Sequence, residues 1–197
     1  MSSFKVVLDA CAIIPAALRD TLLRSAHAGL YRLQLTDDIL EEVRRNLIKQ
    51  IGLSENKAQR VVDAVRANFP ESFDTGHRLL IESMPINDKD RHVLAEAVFS
   101  NAQVIVTQNL KDFPPDALAL FNVEAQSPDD FLVHLFHLST ENMIKIIVEQ
   151  ARDLNNPPKT LSELLNELQR HAPTFVYLIQ NQLSVNEGLY SWVNSIG

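Results

Sequence analysis

The side chains that could do chemistry here are acids and amides set at the ends of apolar runs. Asp9 directly follows Val6-Val7-Leu8. The stretch "VIVTQNLKDF" carries three β-branched residues, Val104 to Val106, straight into Thr107, Asn109 and Asp112, with no Gly or Pro before Pro114. Asp90 opens the run "DRHVLAEAVFS", and Val93, Leu94 and Ala97 lie at i+3, i+4 and i+7 from it. On a helix that spacing puts the Asp90 carboxylate on the expected core-facing stripe. Glu41 and Glu42 both flank the stripe Ile39–Val43–Leu47. At about 100° per residue, periodicity does not choose between them.

Carboxylates drawn together in a partly desolvated cleft repel one another by on the order of a few kcal/mol per pair. They must take up protons or bind a cation, and oxygen-only donors suit a hard ion such as Mg2+ or Mn2+. Other chemistries find no support. The six His are scattered and Cys11 is the single cysteine, so no zinc-ligand spacing exists. No G-x-S-x-G occurs, and the five glycines are too dispersed for a phosphate-cradling loop. Cys11, in "DACAII", reads as a small packed apolar residue. The plainer explanation of the acids is capping: Asp9 for a following turn, and Asn87 or Asp88 for the helix that contains Asp90.

The elements that must position these groups alternate. "FKVVLD" reads as a buried strand and "YRLQL" as a second. Between them, residues 15–29 form a helix bounded by Pro15 and Gly29. Thr36 or Asp37 caps a helix that Gly52 stops, and Ser54 opens another ended by Pro70. The helix through "KDRHVLAEAVFS" ends at Asn101, "QVIVT" is the next strand, and "FNVEA" at 121–125 is a short last one. Such alternation predicts an α/β fold, a parallel sheet flanked by helices. From "SPDDFLVHLF" onward only helices are expected, including one after the turn Asn155–Pro158, capped by Thr160 or Ser162. The expected organisation is a body over 1–125 and an all-helical C-terminal extension over 126–197. In open parallel sheets, ligands bind beyond the carboxyl ends of the strands where strand order reverses, and both Asp9 and the Thr107–Asp112 group fall at such ends.

At 197 residues the chain can bury a core without staples, and one cysteine allows no intramolecular disulfide, as in a reducing cytoplasm. The N-terminal apolar run lacks a basic leader region and is broken by Lys5 and Asp9, unlike a signal peptide. No apolar run is long enough for a membrane span. The net charge of −7 weighs against a phosphate-binding surface, but the charge is unevenly spread. Residues 19–66 hold nine basic residues against seven acids, whereas residues 125–197 hold four against eight. A nucleic-acid surface would therefore lie on the early helices.

Taken in order, "VVLDACAII", "DILEEV", "NDKDRHVLAEA" and "VIVTQNLKDF" resemble the PIN domain, and most closely the VapC-type ribonuclease toxins of toxin–antitoxin pairs. The resemblance covers roughly residues 4–125, and the "PPKTLSELLNEL" region resembles the VapC subgroup with a helical C-terminal extension. It implies metal ligands Asp9, Asp90 and Asp112. It also implies Glu42 as the helix glutamate, because the family's acid precedes an aliphatic, here Val43. In the T-x-D/N-x-x-D-F pattern Asn109 stands where many members have Asp, so Thr107 and Asn109 are expected to aim the carboxylates by hydrogen bonding. Relatives often show D-P-D-D where this chain has Asn87-Asp88-Lys89-Asp90, so the match fixes Asp90 as a ligand and leaves the contribution of Asp88 open.

The implied function is a Mg2+- or Mn2+-dependent endoribonuclease, the toxin of a toxin–antitoxin pair, with RNA as substrate. Its partner would be a small DNA-binding antitoxin, and members of the family tend to form homodimers. Arg19, Arg44, Arg45 and Lys49 are the candidates for gripping the RNA backbone. The alternative is a nuclease-inactive PIN-type module that binds RNA or protein. A phosphatase with a nucleophilic Asp after the first strand would need D-x-D, and "DAC" lacks the second acid.

Overall fold

The computed structural model describes residues 4–155 and 157–185, so Asn156 of the expected turn and residues 186–197 of the expected extension lie outside the described residues. The element order is β1 (Lys5–Leu8), α1 (Ala10–Ile13), α2 (Ala16–His27), β2 (Arg32–Gln34), α3 (Asp37–Lys49), α4 (Glu55–Asn68), α5 (Arg91–Ser100), β3 (Val104–Val106), α6 (Pro115–Ala119), β4 (Glu124–Gln126), α7 (Pro128–Leu138), α8 (Thr140–Asp153), α9 (Leu161–Leu168) and α10 (Pro173–Val185). The α/β expectation holds: the four strands form one parallel sheet in the order β2-β1-β3-β4. Among the described residues no single helix is long and apolar enough to cross a membrane.

The chain divides into two compact units. The first runs to Pro15 and resumes at Tyr31–Ser127, and the second joins Ala16–Leu30 to the chain from Pro128 onward. The second of these passages falls between Ser127 and Pro128, and the second unit also takes in α2.

In the first unit, β1 and β3 form the centre of the sheet. Val6, Val7, Leu8, Ile105 and Val106 are fully buried, each contributing about 1.5–3 kcal/mol relative to an exposed side chain. Runs with no polar alternation are what a strand covered on both faces requires. Helix α5 packs on β1 and β3 through Val93, Leu94 and Ala97. The Thr36 hydroxyl caps α3 by accepting from the Ile39 N–H at 3.1 Å, and the helix buries Ile39, Val43 and Leu47. Asn101 closes α5 in the left-handed region at φ 56°, which asparagine tolerates better than most residues.

Some boundaries move. α5 begins at Arg91, with Asp90 at its cap position and no side-chain capping bond, so the expected capping by Asn87 or Asp88 does not occur. Asn87 instead closes a turn through its carbonyl, which accepts from the Asp90 N–H at 2.9 Å. The last strand starts at Glu124 rather than Phe121, because the chain first turns through Asn122 at φ 56°. Residues 70–83 hold three short 3-10 turns, Pro70–Ser72, Gly76–Leu79 and Ile81–Ser83.

In the second unit, α2 packs against α8 and α9, and α7 against α8 and α10. Buried Gln150 is satisfied on both sides of its amide: its Oε1 accepts from Thr21 Oγ1 at 2.7 Å, and its Nε2 donates to the Ala17 carbonyl at 2.9 Å. Asp129 accepts the N–H groups of Phe175 and Thr174, at 2.9 and 3.1 Å, covering donors that the start of α10 leaves open. Thr160, not Ser162, caps α9 in a reciprocal box. Its hydroxyl accepts from the Glu163 N–H at 3.2 Å, and the Glu163 carboxylate accepts the Thr160 N–H at 2.7 Å. Thr160→Ala is expected to lower stability by about 1 kcal/mol, read as a lower urea midpoint with an unchanged slope.

Candidate active site

Strand order reverses between β1 and β3: the chain steps from β1 to β2 on one side, and β3 lies on the other. The register pairs Leu8 with Val106, so the next residue on each strand, Asp9 and Thr107, emerge together at the carboxyl edge. The Asp9 N–H donates to the Val106 carbonyl at 3.0 Å. The buried Thr107 hydroxyl donates to Asp9 Oδ2 at 2.7 Å and accepts from the Asn109 N–H at 3.0 Å. Thr107 therefore aims the first acid. Asn109 enters the same network through its backbone and lines the adjoining cleft.

Cys11 is the next correction. It is not a purely apolar filler: its Sγ donates to Asp9 Oδ2 at 3.0 Å, lies 3.3 Å from Thr107 Oγ1, and accepts from the Gln108 N–H at 3.1 Å. Burial, and then the Asp9 charge, push the thiol up to about 12. It stays protonated at neutral pH and offers no thiolate nucleophile.

The two glutamates of α3 separate by environment. Glu41 binds Arg44 at 2.7 Å, and hydrogen bonds from Arg44 hold its carboxyl below the usual range. The Glu42 carboxyl is raised, first by burial and then by the charges of Asp9 and Asp90, with Arg45 and Lys89 opposing. Glu42 thus shares a field with the other acids, while Glu41 is spent on Arg44.

Asp90 is raised by burial, and by Asp112 and Asp9, against the pull of Lys89. Its Oδ2 is buried and makes no hydrogen bond. Asp112 sits on the 3-10 turn Leu110–Asp112, its N–H donating to the Asn109 carbonyl at 2.9 Å. Between the two stands Lys89, whose Nζ donates to Asp112 Oδ2 at 2.8 Å and lies 3.5 Å from Asp90 Oδ2. Asp88 is exposed and pairs with Arg91 at 3.0 Å, away from the acids.

A cleft of about 710 Å³ gathers Asp9, Asp38, Glu42, Lys89, Asp90 and His92 along its lining. Among the described residues no group of three His, Cys, Asp or Glu side chains converges closely enough to hold a metal ion as it stands. In donor chemistry the acids nevertheless suit a hard cation. They are oxygen ligands, the charges of Asp9 and Asp90 raise Glu42, those of Asp112 and Asp9 raise Asp90, and the buried Asp90 Oδ2 has the Lys89 ammonium 3.5 Å away. Asp9 and Asp90, which line the cleft, and Asp112, which lies outside that lining and meets it through Lys89, are the side chains that could hold it.

The basic candidates part company. Arg45 and Lys49 line the cleft. Arg44 is bound to Glu41 and Glu55, which occupies the guanidinium expected on a phosphate. Arg19 belongs to α2 in the second unit, where burial lowers its pKa.

Lys89, His92 and Asp38 escaped the sequence reading. His92 Nε2 lies 3.8 Å from Glu42 Oε2, and burial lowers its pKa, favouring the neutral ring. The only signal was adjacency: Lys89 and His92 sit on either side of Asp90 in "NDKDRH". Asp38 meets the buried His77 Nε2 at 3.4 Å, a pairing between residues far apart in sequence.

Residues 128–181 match the family model of the VapC50 C-terminal domain. The chain is 42% identical over 104 residues to a Mycobacterium tuberculosis protein named "Putative ribonuclease VapC50". The match covers 53% of this chain, and the chain spans 62% of that protein's length. No solved structure matches.

Proposed function

We propose that this chain, similar over 104 residues to the protein named "Putative ribonuclease VapC50", is a VapC-type PIN-domain endoribonuclease that hydrolyses RNA phosphodiester bonds with Mg2+ or Mn2+ held by Asp9, Asp90 and Asp112. The observation that carries this reading is the meeting of Asp9, Glu42 and Asp90 in one cleft at the switch point of the sheet, with Glu42 and Asp90 raised by burial and by neighbouring carboxylates.

With Asp9, Asp90 and Asp112 holding it, a divalent cation would supply Lewis-acid polarisation of the phosphate and activation of water. Thr107 holds Asp9 in one orientation, so the first ligand is preorganised. Glu42, with its raised carboxyl, orients the attacking water and accepts its proton. Arg45 and Lys49 grip the RNA backbone at the rim. The products carry a 5′-phosphate and a 3′-hydroxyl. The protein acts in the cytoplasm as a toxin whose antitoxin, a small DNA-binding protein, covers this cleft.

The purified chain is expected to cleave structured RNA with Mg2+ or Mn2+, to stop on chelation with EDTA, and to resume when the divalent ion is restored. Cleavage unaffected by EDTA would exclude the metal-dependent reading. Absence of both cleavage and divalent-ion binding would favour the nuclease-inactive binding module. The Lys89 bridge across Asp90 and Asp112 is the observation on that side.

A further inference from the structure

Two acids of the proposed metal site are already joined by a cation. Lys89 Nζ stands 2.8 Å from Asp112 Oδ2 and 3.5 Å from Asp90 Oδ2. It is the nearest positive group to an Asp90 oxygen that is buried and makes no hydrogen bond. The backbone explains how it gets there. Lys89 directly precedes Asp90, the cap residue of α5, while Asp112 is brought alongside by the turn after β3. Its side chain is 58% exposed, so the ammonium can leave for water on its flexible stem with little loss of packing.

We propose that Lys89 is a tethered stand-in for the metal, holding Asp90 and Asp112 together in the metal-free chain and yielding them when a divalent ion binds. The proposal rests on the reading of the cleft as a metal site. A single ammonium offsets one negative charge among several acids and reaches two of them. A divalent ion offsets two and can be approached by three or more oxygens. Exchange is therefore favourable, but the entering ion must displace an ammonium and then tolerate its charge nearby. Lys89 thereby lowers metal affinity and sets the ion concentration at which the site fills. In the metal-free chain it does the opposite service, relieving the repulsion between Asp90 and Asp112. Lys89 is a positioning residue, acting through the two carboxylates.

The test is calorimetric titration of Mn2+ into the full chain and into Lys89→Met and Lys89→Arg, with thermal unfolding of each in EDTA and in saturating Mn2+. Lys89→Met is expected to bind Mn2+ about tenfold more tightly, and Lys89→Arg, which keeps the charge, to stay close to the parent. Without metal, Lys89→Met should melt below the parent, and saturating Mn2+ should close the gap. Equal Mn2+ affinity in the parent and Lys89→Met, with both binding, overturns this inference and leaves the metal site standing. An unchanged melting temperature of Lys89→Met in EDTA also overturns it. No Mn2+ binding by any of the three overturns the metal-site reading and this inference together.

Discussion

Asp9→Asn/Asp90→Asn is expected to abolish the proposed divalent-dependent RNA cleavage, lowering the rate by on the order of a thousandfold or more. The size follows from what each acid does. Asp9 is the acid that the sheet fixes most firmly, through Thr107 and its own N–H. Asp90 presents the oxygen with no other hydrogen-bond partner. Asparagine matches aspartate in shape, so the Thr107 hydroxyl keeps an acceptor at position 9, and the cluster loses two mutually repelling charges. The double variant should therefore stay folded and melt at or above the parent temperature in EDTA. Melting separates lost chemistry from lost structure, and cleavage assays with Mn2+ read the chemistry. Cleavage persisting at the parent rate in a folded double variant would sink the metal-site model.

Glu96 gives the second large effect, and it is one of stability. The residue is fully buried on α5, and neither carboxylate oxygen has a hydrogen-bond partner. His77 Nδ1 is 3.4 Å from its Oε2, and His77 is itself buried. Burial first, and then the Asp74 charge, raise the Glu96 carboxyl to about 8, with Lys5 opposing. The folded-state value thus lies above the ordinary 4.5 that the unfolded chain would show. Between those values the folded chain holds a proton that the unfolded chain releases, so stability falls as pH rises. The contribution is fully present below pH 4.5 and is exhausted above about pH 8. Its size is on the order of several kcal/mol as an upper bound. Glu96→Gln keeps the shape and cannot ionise. Its advantage over the parent should grow from pH 5 to pH 8 and then level off. Urea unfolding of both proteins at pH 5, 7 and 9 measures this, and parallel pH profiles would show that Glu96 is not the source.

What the sequence disclosed was what local pattern controls. Unbroken apolar runs marked β1 and β3 as buried strands, and helical spacing placed Asp90 on the buried side of α5. Those two facts already put Asp9, Asp90 and Thr107 near one edge of a sheet. The choice of Glu42 over Glu41 was not in the periodicity. The structure adds that the two differ in environment: Arg44, one helical turn on, pairs with Glu41, and both line the cleft. Lys89 was invisible as a partner of Asp112 because the contact depends on how the turn after β3 lies against the start of α5. Glu96 and His77 were hidden for a similar reason: a polar residue in an amphipathic helix looks solvated until the segment that covers it is known, and here that segment is a run of 3-10 turns with no period to read.

The second unit is assembled from two distant stretches of chain, and this bears on the order in which the protein can be made. Helix α2 leaves the ribosome early with Leu18 and Leu22, which end fully buried. The helices it packs against, α8 and α9, are encoded more than a hundred residues later. At a synthesis rate of about 5–20 residues per second, α2 waits on the order of ten seconds for its partners. Throughout that interval the nascent chain can pair β1 with β2 and β3 while the apolar face of α2, Leu18 and Leu22, waits uncovered. Completion of the helical unit is a late, non-local event in the birth of the protein.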